Sequence, residues 1–239
     1  MKDKVKIVAP IIGRNWAELK QQLLLVQSNK PDLIEWRIDT LESLPNENQL
    51  VKFIQLIKGH TSLPLLATFR TATEGGNLEI SDKLYIELLL ALCQNPVISF
   101  LDIEVRINKN EILPIIKRAQ HNKIKVITSY HNFGCTPTND ELYHKISRML
   151  EVKPDIAKLA VMPHNASDVL RLMTFSCDIS QKIAPKLVTM AMGNLGKVTR
   201  VTPELTHSFL TFAALDEQSA SAPGQLQIDQ ARNIIEELN

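Results

Sequence analysis

The sequence predicts a (β/α)8 barrel of the α/β class, on three observations. Eight short apolar runs recur along the 239 residues, each followed by a longer stretch of helical spacing, at about 30 residues per unit. The first run leads into "PIIGRN", with one glycine, where a doubly wound sheet (the nearest alternative) usually carries GxGxxG. No linker or low-complexity segment divides the chain, which suits a single domain over 1–239, a size that α/β barrels commonly reach.

The elements follow in order. Strands are expected at 5–9 "VKIVA", 32–38 "DLIEWRI", 65–70 "LLATFR" and 98–105 "ISFLDIEV", then at 124–130 "IKVITSY", 155–162 "DIAKLAVM", 186–192 "KLVTMAM" and 208–214 "SFLTFAA". Helical spacing fills 15–28, 47–58, 81–93, 109–121, 139–151 and 165–180, with a short helix near 196–206 and a last one at 226–238. Ser81, Asn108 and Thr138 stand where N-caps belong. "GNLG" at 193–196 reads as an ordinary glycine-containing turn.

Strand side chains alternate between faces. Glu35 and Arg37 therefore oppose Ile34, Trp36 and Ile38; Thr68 pairs with Arg70, Asp102 with Glu104, and Ser129 with His131. Lys158 shares its side with Ile156, Ala160 and Met162, inside a strand that reads as covered on both faces. In a barrel the large apolar set faces the helices, and the polar set faces the interior and its C-terminal mouth. Singly, each charge is ordinary, since buried charges are usually just paired. Together, five strands place ionisable groups of mixed sign on one side, as a site that binds a polar anion and moves protons requires. Asp102 and Glu104 read as partners of buried cations rather than as catalysts.

Composition narrows the chemistry. Apolar residues make up 44%, charged residues 22%, and the formal net charge is +1, so neither nucleic acid nor a membrane surface is an expected partner. "MKDKVKIVAP" has no apolar stretch of signal-peptide length. Cys93, Cys135 and Cys177 are odd in number and lack a CxxC, which predicts reduced, cytoplasmic thiols, buried or half-buried. The six histidines form no HxH or HExxH pair, so no metal site is expected. No GxSxG elbow is present. A buried lysine near a histidine and a carboxylate suits covalent amine catalysis instead: a desolvated neutral amine attacks a ketone, and a histidine shuttles the proton beside the iminium carbon.

The segments "EWR" (35–37), "FRTATEGG" (69–76), "SYHNF" (129–133), "AKLAVMP" (157–163) and "SASAPGQ" (219–225) together resemble type I 3-dehydroquinate dehydratases, in order and over nearly the whole chain. The resemblance implies a barrel enzyme of the shikimate pathway that needs neither metal nor organic cofactor and is usually a homodimer. It implies that Lys158 forms an imine with the C3 ketone of 3-dehydroquinate. His131 would remove a C2 proton and help the C1 hydroxyl leave, Glu74 would orient that histidine, and Arg200 would bind the substrate carboxylate. Glu35, Arg37, Arg70, Ser221 and Gln225 would make the other substrate contacts. Asn132, Thr199, Pro203 and His207 depart from the family's usual residues; the last three bear on how Arg200 is posed. On loop statistics alone "DEQSASAPGQ" (216–225) is an ordinary loop; read functionally, it is a lid. Two alternatives stay open: a Schiff-base aldolase acting on a sugar phosphate, and a non-catalytic relative that binds shikimate-type ligands.

Overall fold

The computed structural model describes residues 5–238. Strands β1 (Lys6–Ile11), β2 (Leu33–Arg37), β3 (Leu65–Thr68), β4 (Phe100–Glu104), β5 (Lys125–Asn132), β6 (Ile156–Val161), β7 (Lys186–Ala191) and β8 (Leu210–Phe212) form one parallel sheet in the order β7-β6-β5-β4-β3-β2-β1-β8. Helices α1 (Trp16–Asn29), α2 (Glu47–His60), α3 (Asp82–Cys93), α4 (Lys109–His121), α5 (Asn139–Leu150), α6 (Ala166–Ser180), α7 (Gly193–Val201) and α8 (Ile228–Glu237) lie between and after the strands. The result is the nearly closed (β/α)8 barrel that the repeat of apolar runs predicts. Its seam, between β7 and β8, is bridged at Leu187 and Ser208, where the Phe209 amide donates to the Leu187 carbonyl at 2.8 Å.

The period-2 pattern separates two cores. Ile34, Trp36, Ala67, Leu101, Ile103 and Val126 point outward against the helices. Val8, Leu33, Leu66, Phe100, Ile127, Ile156, Val188 and Leu210 point inward and pack on one another. These inward residues occupy the N-terminal half of their strands. The polar residues two and four positions later occupy the C-terminal half, so the apolar interior is a floor beneath the polar layer.

Helix starts follow local chemistry. Ser81 and Asn108 cap α3 and α4, and Thr138 with Glu141 forms a reciprocal capping box on α5. Three expectations need correction. The helix expected near 196–206 is α7, which begins at Gly193, so "GNLG" is its first turn rather than a separate loop. The helix stops at Val201 because Pro203 disfavours helical backbone just before it. The eighth strand keeps only Leu210–Phe212 of the expected 208–214, since the seam gives it a full partner in β1 alone. Cys135 is exposed, against the expectation of burial; Cys93 is buried and Cys177 half-buried, and all three are free.

Candidate active site

The polar layer converges on Lys158. In β6 its amine lies 3.6 Å from Asp102 Oδ2, 3.9 Å from Glu35 Oε1 and 4.2 Å from the centre of the Phe212 ring. Burial pulls the amine below its ordinary pKa; Asp102 and Glu35 oppose this, while Arg70 and Arg37 add to it. Glu35 is itself fixed by the Thr68 hydroxyl at 2.9 Å.

Three buried arginines surround this amine, and they differ in how they are paired. Arg70 donates to Asp102 at 2.8 Å, Glu104 at 2.9 Å, Ser129 at 3.0 Å and Glu74 at 3.5 Å. The expectation that Asp102 and Glu104 partner buried cations is therefore met. Arg37 is gripped by both oxygens of Asp39, at 2.8 and 2.7 Å, and reaches the Ser221 carbonyl at 3.5 Å. Arg200, on α7, has no carboxylate partner among the described residues. Its Nη atoms face the Phe212 carbonyl at 3.4 Å, the Pro223 carbonyl at 3.3 Å and Met190 Sδ at 3.6 Å, and its buried Nε has no partner. Burial without a countercharge lowers its pKa to about 10. A guanidinium held in this way is a ready receptor for an anion.

His131 ends the inward row of β5. Its Nδ1 and its backbone N–H both lie 3.0 Å from Glu74 Oε2. Glu74 reaches this position because the chain after β3 turns through a 3-10 helix, Ala72–Glu74, and leaves it at Gly75 with φ +85°. A Cβ on Gly75 would lie 2.2 Å from the Phe133 ring, so that ring can pack there only over glycine. Burial holds the imidazole well below its ordinary pKa, helped by Arg70 and Lys158. Burial, and then the neighbouring Glu104, raises Glu74 to about 8. The imidazole is therefore neutral at neutral pH, as a base needs to be.

The segment 216–225 crosses this mouth. Ser221 and Gln225 brace one another, with the Ser221 N–H on Gln225 Oε1 at 3.0 Å and Gln225 Nε2 on Ser221 Oγ at 3.1 Å. The Gly193 N–H donates to the Pro223 carbonyl at 3.0 Å, so the start of α7 carries this segment. The departures on and after α7 leave Arg200 facing the cavity. The Thr199 hydroxyl ties α7 to β7 by accepting from the Ala191 N–H at 3.0 Å, and His207 adopts φ +55° without disturbing the helix.

Eight of the nine expected side chains (Glu35, Arg37, Arg70, His131, Lys158, Arg200, Ser221 and Gln225) line one cavity of about 40 Å³, and the ninth, Glu74, stands behind His131. The sequence reading did not single out Asp39, Phe133, Met190 or Phe212. The last three supply the apolar wall, and Asp39 aims Arg37. Asp39 lies two residues after Arg37 but past the expected strand 32–38, and its direction is set by the 3-10 turn that ends β2. Among the described residues no cluster of His, Cys, Asp and Glu is arranged to hold a metal ion, and no helix is long and apolar enough to cross a membrane.

The family model for type I 3-dehydroquinase matches residues 7–239. The 3-dehydroquinate dehydratase of Clostridium kluyveri is 38% identical over 233 residues, which cover 96% of this chain and 91% of that protein. The 3-dehydroquinate dehydratase of Listeria monocytogenes serotype 4b is 34% identical over 235 residues, 98% of this chain and 92% of that one. Among solved structures, the type I 3-dehydroquinate dehydratase of Clostridium difficile with covalently modified comenic acid superposes with a TM-score of 0.92 at 31% identity, covering 98% of this chain and 92% of that one.

Proposed function

Because this chain belongs to the type I 3-dehydroquinase family, we propose that it is a carbon–oxygen hydro-lyase that converts 3-dehydroquinate to 3-dehydroshikimate through a Schiff base on Lys158. The observation that carries the reading is one cavity with a desolvated lysine amine, a neutral histidine held by Glu74, and a buried arginine with no carboxylate partner among the described residues.

In this reading the substrate carboxylate supplies the countercharge that Arg200 lacks, which places the ring between Phe133 and the Lys158 amine. Glu35, Arg37 and Arg70 border the ring below, and Ser221 and Gln225 cover it. The amine attacks the C3 ketone, and the resulting iminium acts as an electron sink. When His131 removes a C2 proton, the electron pair moves into an enamine rather than resting on carbon. The proton then leaves with the C1 hydroxyl as water, and Glu74 holds Nδ1 so that Nε2 faces the ring. A cavity of about 40 Å³ does not admit such a ring with segment 216–225 seated, so that segment opens and closes as a lid. The family resemblance supports the rest of the reading: one catalytic domain, acting in the cytoplasm as a homodimer, on the shikimate route to aromatic amino acids, with neither metal nor organic cofactor.

The test is direct. Purified protein with 3-dehydroquinate should generate the ultraviolet absorbance of a conjugated enone carboxylate. Borohydride added during turnover should fix a ligand mass on the peptide carrying Lys158, and Lys158→Ala should abolish both signals. Sugar phosphates should give neither. An adduct on another lysine, or no absorbance change, would end this assignment.

A further inference from the structure

Four buried side-chain polar atoms among the described residues lack a hydrogen-bond partner: Trp36 Nε1, Thr128 Oγ1, Arg200 Nε and Asp102 Oδ2. Buried polar groups are nearly always satisfied, so each exception calls for an explanation. Arg200 Nε lies on the guanidinium already assigned to the substrate carboxylate. Asp102 Oδ2 is the one carboxylate oxygen in the set, and Asp102 is fully buried. Its other oxygen, Oδ1, is taken by the Ser129 hydroxyl at 2.6 Å and by Arg70 Nη2 at 2.8 Å. Those two bonds fix the carboxylate plane and leave Oδ2 facing the Lys158 nitrogen at 3.6 Å. The second carboxylate near that nitrogen, Glu35, lies at 3.9 Å, and its nearer oxygen already accepts the Thr68 hydroxyl.

We propose that Asp102 is a further catalytic residue, whose Oδ2 accepts the single N–H of the iminium formed on Lys158 and serves as its fixed counter-ion. The inference rests on the Schiff-base reading above. The proton count explains why such an acceptor is needed. An ammonium condenses with a ketone to give an iminium and water: the C–N bond forms, the C–O bond breaks, two of the three nitrogen protons leave with the oxygen, and one stays. The charge is unchanged, but the donors fall from three to one. That one N–H needs an acceptor inside a cavity closed to solvent, and Oδ2 is the oxygen with free capacity. Burial would raise the Asp102 carboxyl, but Arg70 and then Lys158 hold it below its ordinary range, so it is ionised and ready to accept. Loss of the C2 proton makes the nitrogen neutral, as an enamine. Asp102 then favours return to the iminium, the same electron movement that expels the C1 hydroxyl.

The experiment compares borohydride trapping of the 3-dehydroquinate adduct in the unaltered protein, Asp102→Asn and Ser129→Ala, with thermal unfolding as the check on folding. Asp102→Asn should lower the trapping rate by about 10- to 100-fold, the range of a hydrogen bond to a charged group. It should also move the acid limb of trapping to lower pH. Without Asp102, the amine is left with Glu35 against burial, Arg70 and Arg37. Ser129→Ala removes one of the two bonds on Oδ1 but keeps the Asp102 charge and its Arg70 bond, so it should lose less of the trapping rate than Asp102→Asn and keep the original acid limb. If the Asn variant does not fold, Asp102→Glu, which keeps the charge but displaces the oxygen, should show the trapping loss in its place. Unchanged rate and pH profile in the Asp102 variant, or an equal loss in Ser129→Ala, would overturn the role of Asp102 while leaving the Schiff base standing. Absence of any adduct in the unaltered protein would remove the Schiff-base reading, and this inference with it.

Discussion

At the scale of single residues, burial decides what each ionisable group can do. The same interior that lowers the Lys158 amine and the His131 imidazole raises Glu74 to about 8 from an ordinary 4.5. Between these two values the folded chain keeps a proton on Glu74 that the unfolded chain has released. By linkage, this group therefore lowers stability as pH rises from about 4.5 to about 8, and its cost is complete above that range. Glu74→Gln, which is neutral and still offers an oxygen to the His131 N–H, should unfold at a higher temperature than the unaltered protein at alkaline pH. The difference should shrink as pH falls through the window, and thermal melts of both proteins across it would show this. A difference that grows toward acid pH would mean that Glu74 is ionised throughout. Lys158, His131, Arg37 and Arg70 were legible in sequence because strand parity puts them inside, whereas Arg200, on helix α7, was reached only through the family resemblance. Asp39 and Phe133 were not, because they sit beyond the regular strands, where parity says nothing about direction.

At the scale of elements, the catalytic face is built from strand ends and closed by a loop held on a helix start. Segment 216–225 meets α7 through two glycines of positive φ, Gly193 at +70° and Gly224 at +81°. A Cβ on Gly224 would lie 2.2 Å from the Gly193 carbonyl oxygen, so the two backbones can touch only because no side chain intervenes. Gly224→Ala should therefore keep the lid from seating. The expected result is a higher KM for 3-dehydroquinate, a lower kcat, and faster proteolytic cutting within 216–225, with a melting temperature close to that of the unaltered barrel. Normal kinetics in this variant would show that the lid closes without the contact. "GNLG" gave no hint of this, because a glycine-rich turn and a glycine-initiated helix share the same local composition.

At the scale of the whole molecule, closure of the barrel depends on the β7–β8 seam. Ser208 substitutes there for a regular ladder: its hydroxyl accepts from the Thr189 N–H at 3.0 Å and lies 3.4 Å from the Thr189 carbonyl. Ser208→Ala leaves the buried Thr189 N–H without its partner and should destabilise the protein by about 1–3 kcal/mol in denaturant melts. Lys158 trapping should be unchanged, since the seam lies below the polar layer. A neutral effect on stability would mean that the Ser208 hydroxyl does not hold the seam.

The number and order of the strands and helices, the inward face of each strand, and the charged groups on that face can be read along the chain. Those properties follow from a side-chain period of two or 3.6, which is local and readable along the chain. Which inward charges pair with which emerges only once the strands close into the barrel. Arg70 takes three carboxylates and Arg37 takes Asp39, while Arg200 is left with carbonyls and a sulfur. Pairing depends on the stagger between strands and on the angle at which each loop leaves its strand, and these are set by closing the sheet on itself. Closure is what leaves Arg200 without a carboxylate and Asp102 Oδ2 without a hydrogen-bond partner among the described residues.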